Sequence, residues 1–300
     1  MLNIGLKQVR YQMLNRRWNL RLSSKYPFLA NYFTQALSAS NRALPQSLLF
    51  YGNDLKAQYE LAVEIARLLN CQKDKSDDCD CLNCKWITEG SHPAVMTISR
   101  VDNKPEDDSS KTVISVKQSQ MIKELLLNSS EFHRVFIFCD RDKEGNISGL
   151  NPLNFQDKTA NSLLKIIEEP QPGVTFIFLT RYVDDVLSTI QSRSQCFFVP
   201  MIKDIEYNYS CIEGAFTEYY SFERSDVFKI SQDLQDLAKQ YSIEQVLNSI
   251  QNYILCILKS NPKQTEFIKH IEIIEEAKKQ AELGMRPANL FDDLCLKLIK

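Results

Sequence analysis

Only three histidines occur among the 300 residues, and no serine or cysteine nucleophile arrangement is visible, which leaves little material for imidazole-assisted nucleophilic catalysis. No stretch reaches eighteen consecutive apolar residues, and the amino terminus lacks a compact apolar run with a small-residue cleavage site. The expectation is a cytoplasmic protein with neither membrane span nor secretory signal. Acidic residues are missing altogether before Asp54, whereas Lys7, Arg10, Arg16, Arg17, Arg21, Lys25 and Arg42 all fall there. Such a basic end suits contact with nucleic-acid phosphate, an organelle-targeting peptide or a solvated amphipathic lead-in helix, the last being the preferred reading. What remains is globular: 44% apolar content and a net charge of −2 describe two or three domains able to bury a proper core.

The pattern that is present alternates. Pro45 precedes an apolar run at residues 48–51 and Gly52 follows it, after which Leu61, Ala62, Ile65, Ala66, Leu68 and Leu69 keep helical spacing. Residues 95–98 read as a strand, the polar stretch 102–111 as a loop, Met121, Ile122, Leu125 and Leu126 as a helical face, and residues 135–139 as a further buried strand. Residues 143–157, with Gly145, Gly149 and Pro152, break the alternation and read as an inserted loop. Ala160, Leu163, Leu164 and Ile167 then recur at helical spacing until Pro170 and Pro172 stop that helix. Residues 174–179 suit a fully buried parallel strand, and the next helix carries Ser192, Arg193 and Ser194 near its end. This order predicts an α/β fold, a parallel sheet flanked by helices with any ligand at the carboxyl ends of the strands. Beyond Met201 no strand pattern is found. Val246, Ile250, Ile254 and Leu258, then Phe267, Ile271 and Ile274, predict an all-helical region of the packing or assembly kind. Phe216, Tyr219, Tyr220 and Phe222 read as helical core rather than a base-stacking platform.

The turn from Gly52 sits where a phosphate loop of pattern G-x-x-x-x-G-K-[ST] would sit. Ala57, Gln58 and Tyr59 hold the slots of the second glycine, the lysine and the hydroxyl, and Lys56 stands two positions early. An ordinary strand-to-helix turn without nucleotide is the preferred reading. In FIFCDRD, Cys139 and Asp140 stand where an acidic pair would hold magnesium, and Arg141 opposes a cation there. Both losses point the same way, to a chain that does not hydrolyse nucleotide by itself.

Nine cysteines in a reducing compartment are expected as thiols, so a tight cluster is a metal candidate. Cys71, Cys79, Cys81 and Cys84 fall within fourteen residues. Four thiolates can close a tetrahedral structural zinc site, and Asp77, Asp78 and Asp80 add a favourable negative field. Unligated cysteines and an iron–sulfur cluster are the alternatives, and a catalytic zinc is disfavoured because no coordination position stays open. His92 reads as a hydrogen-bonded loop histidine. Glu168 and Glu169, adjacent and therefore divergent, read as terminal helix residues rather than an acid–base pair, and Arg193 by composition alone is a surface or ion-paired residue.

Taken in order, LLFYG, a helix ending at a cysteine, C-x-C-x2-C, SHP, VISVKQSQMIKELL, VFIFCD, ANSLLKIIEEP, FIFLT and TIQSRS resemble the blocks of the delta-prime family of bacterial DNA polymerase III clamp-loader subunits, within the AAA+ group. The likeness covers residues 27–199. It implies an AAA+ type parallel sheet flanked by helices with a zinc-binding insert, followed by an all-helical carboxyl-terminal region. The implied division is a non-hydrolysing nucleotide-fold domain at 1–199 with a zinc module at 71–84, a small lid-like region at 200–241 and a helical collar at 242–300. Related motor subunits keep an intact phosphate loop, so its decay here points to the stator-like subunit, with no nucleotide of its own. Arg193, in Ser192-Arg193-Ser194, matches the family's S-R-C arginine, an arginine finger that reaches the γ-phosphate held by the adjacent subunit. The implied partners are ATPase motor and clamp-opening subunits and, through the complex, the sliding clamp and primed DNA. Pro287-Ala288-Asn289-Leu290 resembles the late collar segment. Ser194 departs from the cysteine of S-R-C, and the cysteine spacing is one residue shorter than C-x2-C-x2-C. Two other classes remain as alternatives: an active AAA+ ATPase with a divergent phosphate loop, and a zinc-dependent nucleic-acid-binding protein using the basic first twenty-five residues.

Overall fold

The computed structural model describes residues 20–38, 44–73, 76, 78–106, 114–151, 166–168, 171–202, 209–216, 227–260 and 266–298. The chain divides into two compact units, residues 1–201 and 202–300.

The first unit is built on five parallel strands, β1 (Ser47–Tyr51), β2 (Val95–Ile98), β3 (Arg134–Phe138), β4 (Val174–Thr180) and β5 (Gln195–Phe198), in the order β2-β3-β4-β1-β5. Helices on both faces leave a central parallel strand no solvent side, which is why VTFIFLT lacks polar alternation and why every residue of β4 is buried. Its aromatic side chains stack on those of β3, Phe136 on Phe176 at 5.6 Å and Phe138 on Phe178 at 4.7 Å between ring centroids. This is the parallel sheet flanked by helices that the alternation of strands and helices predicted.

Around it lie α1 (Leu20–Lys25), α2 (Pro27–Ser38), α3 (Leu55–Asn70), α4 (Leu82–Thr88), α5 (Val116–Leu127) and the short α6 (Ser188–Gln191). Helix α3 buries Leu61, Ala62, Ile65, Ala66 and Leu68, one apolar stripe at helical period. Helix α5 starts at a capping box: Ser115 Oγ accepts from Gln118 N at 3.0 Å while Gln118 Oε1 accepts from Ser115 N at 3.0 Å. Ile122 and Leu126 turn into the core, with Met121 and Leu125 partly buried beside it.

Two expectations need amendment, and a third is only partly covered. Part of the stretch read as an inserted loop, residues 147–148, pairs antiparallel with residues 140–141 just before it, and Asn146 N donates to Asp142 Oδ1 at 2.8 Å in the connecting turn. Gly145, at φ +87°, supplies the left-handed turn inside it. Ser192, Arg193 and Ser194 form the turn after α6 rather than its last residues, because the helix is only four residues long. The helical face at Ala160, Leu163 and Leu164 lies outside the described residues, whereas Ile166 to Glu168 are helical.

The described part of the second unit contains no strand. Helices α7 (Val227–Tyr241), α8 (Ile243–Ser260), α9 (Glu266–Glu282) and α10 (Pro287–Leu298) pack around Ile230, Leu234, Val246, Ile250, Ile254, Leu258, Ile271, Ile274, Leu290 and Phe291. Pro287 occupies the first turn of α10, where its missing N–H costs nothing. Phe216 is fully buried and packs edge-on to Tyr253, so it belongs to this core; Tyr219, Tyr220 and Phe222 lie outside the described residues.

Candidate functional site

The carboxyl ends of β1 and β4 meet at the turn that precedes α3. Gly52, at φ +126°, lets the chain pass so close to β5 that a Cβ there would lie 2.3 Å from Val199 O. Asp54 caps α3, its carboxylate accepting from Ala57 N at 3.1 Å, from Lys25 Nζ at 2.7 Å and from Tyr26 Oη at 2.8 Å. A helix amino terminus of this kind attracts anions through its unpaired N–H groups and its dipole. Here the chain's own carboxylate, paired with Lys25, takes that place. Gln58, in the lysine slot, is fully buried and donates to Gly52 O at 2.8 Å and Thr180 O at 3.0 Å, lacing the turn to the end of β4. Ala57 is buried, and Tyr59 shares a hydrogen bond with Thr97 Oγ1 at 2.9 Å.

The acidic position after β3 is likewise occupied from within. Arg100 grips Asp140 with both arms of its fork, Nε lying 2.6 Å from Oδ1 and Nη2 on Oδ2. Beside it Cys139 is buried, and burial followed by the charge of Asp102 pushes its thiol up to about 12. A buried neutral thiol and a carboxylate already paired with arginine are poor magnesium ligands.

Arg193 lies at the other end of the sheet. Its turn feeds β5 at the amino-terminal edge, where Ser194 Oγ meets Ser47 Oγ at 2.7 Å and Leu48 pairs with Gln195. Gly52 follows the far end of β1, and the four steps of that strand separate the two edges by about 13 Å. The side chain of Arg193 is about one-third exposed; Nη1 donates to Thr189 O at 2.9 Å and Ser192 Oγ at 3.2 Å, and Nη2 lies 2.5 Å from Glu168 Oε1. Glu168 is therefore an ion-pair partner as well as a helix residue. Glu169 lies outside the described residues.

Cys71 caps the end of α3 and Cys81 precedes α4, and the loop between them returns Cys79, so that the four sulfurs of Cys71, Cys79, Cys81 and Cys84 lie within 4.8 Å of one another. Tetrahedral zinc with Zn–S bonds of about 2.3 Å requires sulfurs about 3.8 Å apart. Cys71 to Cys79 is 3.5 Å and Cys71 to Cys81 is 4.0 Å, so the donor set fits such an ion despite the tight C-x-C step. Burial opposes ionisation of Cys81, yet backbone hydrogen bonds of Gln72 and Cys84 and the neighbouring thiols bring it down to about 6. Burial and the neighbouring sulfurs of Cys81 and Cys71 push Cys84 up, the expected behaviour of thiols sharing one site.

The support for this cluster was not visible in the sequence pattern. Arg67 is buried, pairs with both oxygens of Glu64 at 2.8 and 2.6 Å, and donates to Ser76 O at 2.7 Å. Asn70 links α3 to β3 through His133, donating to its carbonyl at 3.0 Å and accepting from its N–H at 2.9 Å, while Asn83 donates to Asn70 O at 2.8 Å. His92 is buried between Trp86 and Phe132, its Nδ1 accepts from Ala94 N at 3.2 Å, and burial lowers its pKa. It is the hydrogen-bonded loop histidine expected.

A family model described as DNA polymerase III, delta subunit, matches residues 27–203, more than half of the chain. The chain belongs to this family. Its DNA polymerase III relatives include subunit delta' of Bacillus subtilis (strain 168), 26% identical over 157 residues, which are 51% of this chain and 41% of that protein. Protein STICHEL-like 4 of Arabidopsis thaliana is 26% identical over 204 residues, 64% of this chain and 19% of that protein. The chain thus spans less than half the length of the curated relatives it matches. Among solved structures, a DNA polymerase III gamma subunit-related protein from Thermotoga maritima superposes with a TM-score of 0.37 at 17% identity, over 91% of this chain and 96% of that one. The Bacillus subtilis clamp loader delta protein gives 0.34 at 11%, over 89% and 98%. As a clamp-loader family member, the chain has among its described residues no helix long and apolar enough to cross a membrane.

Proposed function

We infer that this chain is a delta-prime-type subunit that hydrolyses no ATP and lends Arg193 to the ATP site of a neighbouring subunit while the sliding clamp is loaded onto primed DNA. The observation that carries this reading is the placement of charge at the two edges of one sheet. An anionic carboxylate, Asp54, closes the edge where a phosphate would bind, and an exposed cation, Arg193, stands at the opposite edge, too far away to serve that turn. An arginine so placed acts on phosphate only in another molecule. Its planar, permanently charged fork suits a phosphoryl group in a way that lysine does not.

In this reading the four cysteines hold a structural zinc, which supplies a cross-link between the end of α3 and the start of α4 and takes no part in hydrolysis. The motor and clamp-opening subunits are the direct partners, the helices beyond residue 241 form the collar, and clamp and primed DNA are met through the complex. Replacing Arg193 with alanine tests the assignment in a loader reconstituted from purified subunits. The variant is expected to fold and assemble normally while turnover at the completed site falls by about 10³-fold or more, read as a loss of DNA-stimulated ATPase. Turnover equal to that of the unaltered complex would refute the role.

A further inference from the structure

The geometry points to Glu168 as the positioning residue for Arg193, an inference that rests on the trans role just given. The two side chains come from different sequence blocks, Glu168 from the helix before Pro170 and Arg193 from the turn after α6, and they meet at 2.5 Å. A guanidinium carries five N–H donors in a rigid plane. Thr189 O, Ser192 Oγ and Glu168 Oε1 engage three of them, so the side chain is held while two donors remain for an incoming oxygen.

The exposure of the pair decides between aiming and sequestering. Glu168 and Arg193 have 43% and 36% of their side chains accessible, so water screens their attraction and the carboxylate does not cancel the cation. Its effect is conformational. A free arginine samples many rotamers, and each productive encounter with a phosphate must restrict them; a side chain already fixed on three donors loses less freedom on binding. Glu168 touches no nucleotide and takes no proton.

The test uses the assembled loader with its ATPase subunits, clamp, primed DNA and ATP. Glu168→Ala is expected to lower kcat of the DNA-stimulated reaction by about fivefold, the scale of a partly exposed charged pair, with KM for ATP unchanged because the neighbour holds the nucleotide. Glu168→Gln keeps an acceptor oxygen and should recover most of that loss, and on an Arg193→Ala background neither change should have any further effect. Unaltered or faster turnover in Glu168→Ala, beside an impaired Arg193→Ala complex, leaves the trans role standing and overturns the positioning role. A loss that persists on the Arg193→Ala background overturns it too. If Arg193→Ala is itself unimpaired, both readings fall together.

Discussion

At single positions, the chemistry of this chain is one of substitution in place. Gln58 stands in the slot of a phosphate-binding lysine and uses its amide N–H groups on two backbone carbonyls instead. Gly52 persists for a reason unrelated to phosphate: the backbone of Val199 occupies the space a Cβ would need, and φ is +126°. Gly52→Ala is therefore expected to destabilise the protein by about 2–4 kcal/mol, read from the urea unfolding midpoint, although the residue contacts no ligand. Asp54 was the residue least legible in advance. Nothing in GNDLKAQYELA says that Lys25 and Tyr26, far away in sequence, will converge on its carboxylate.

Among elements, the cysteine excursion between α3 and α4 shows how a local motif depends on distant supports. The spacing alone brought the four thiols under suspicion, and the fold brings their sulfurs within ligand distance. Arg67 and Asn70, both on α3, and Asn83 on α4 anchor the excursion to the helix ends and to β3. Purified reduced protein is expected to carry close to one zinc per chain, and a metal content near zero would remove the site. Stripping the ion with a chelator should raise amide exchange at residues 71–84 while leaving β1, β3 and β4 protected, because the sheet core owes nothing to the metal. Affinity should weaken as pH falls, since protons compete for the thiolates.

Over the whole molecule, the parallel direction of the strands matters more than any one residue. Because β1 and β5 run the same way, the turn before β5 and the turn after β1 are forced to opposite edges, and the cation and the closed anion site are separated by the length of a strand. The isolated chain should accordingly show no ATP binding by titration calorimetry. Gln58→Lys should not restore it, since the carboxylate of Asp54 still faces the helix terminus. Triphosphate and magnesium bound beside Gly52 would return the chain to the class of active ATPases.

Periodicity and composition were sufficient for β1 to β4, for α3 and α5 and for the helical second unit, because burial on both faces leaves an unbroken apolar run and burial along one stripe leaves a period of 3.6; β5, half of it exposed, had no such pattern and was missed. Residues 174–180 could be little other than a buried strand. The pairings of Arg100 with Asp140, Glu168 with Arg193 and Ser47 with Ser194 have no such signature. Each joins residues distant along the chain, and polar contacts of that kind leave no periodic trace. Their partners are chosen by which strand ends the sheet order brings side by side, a choice that exists only once the chain has folded.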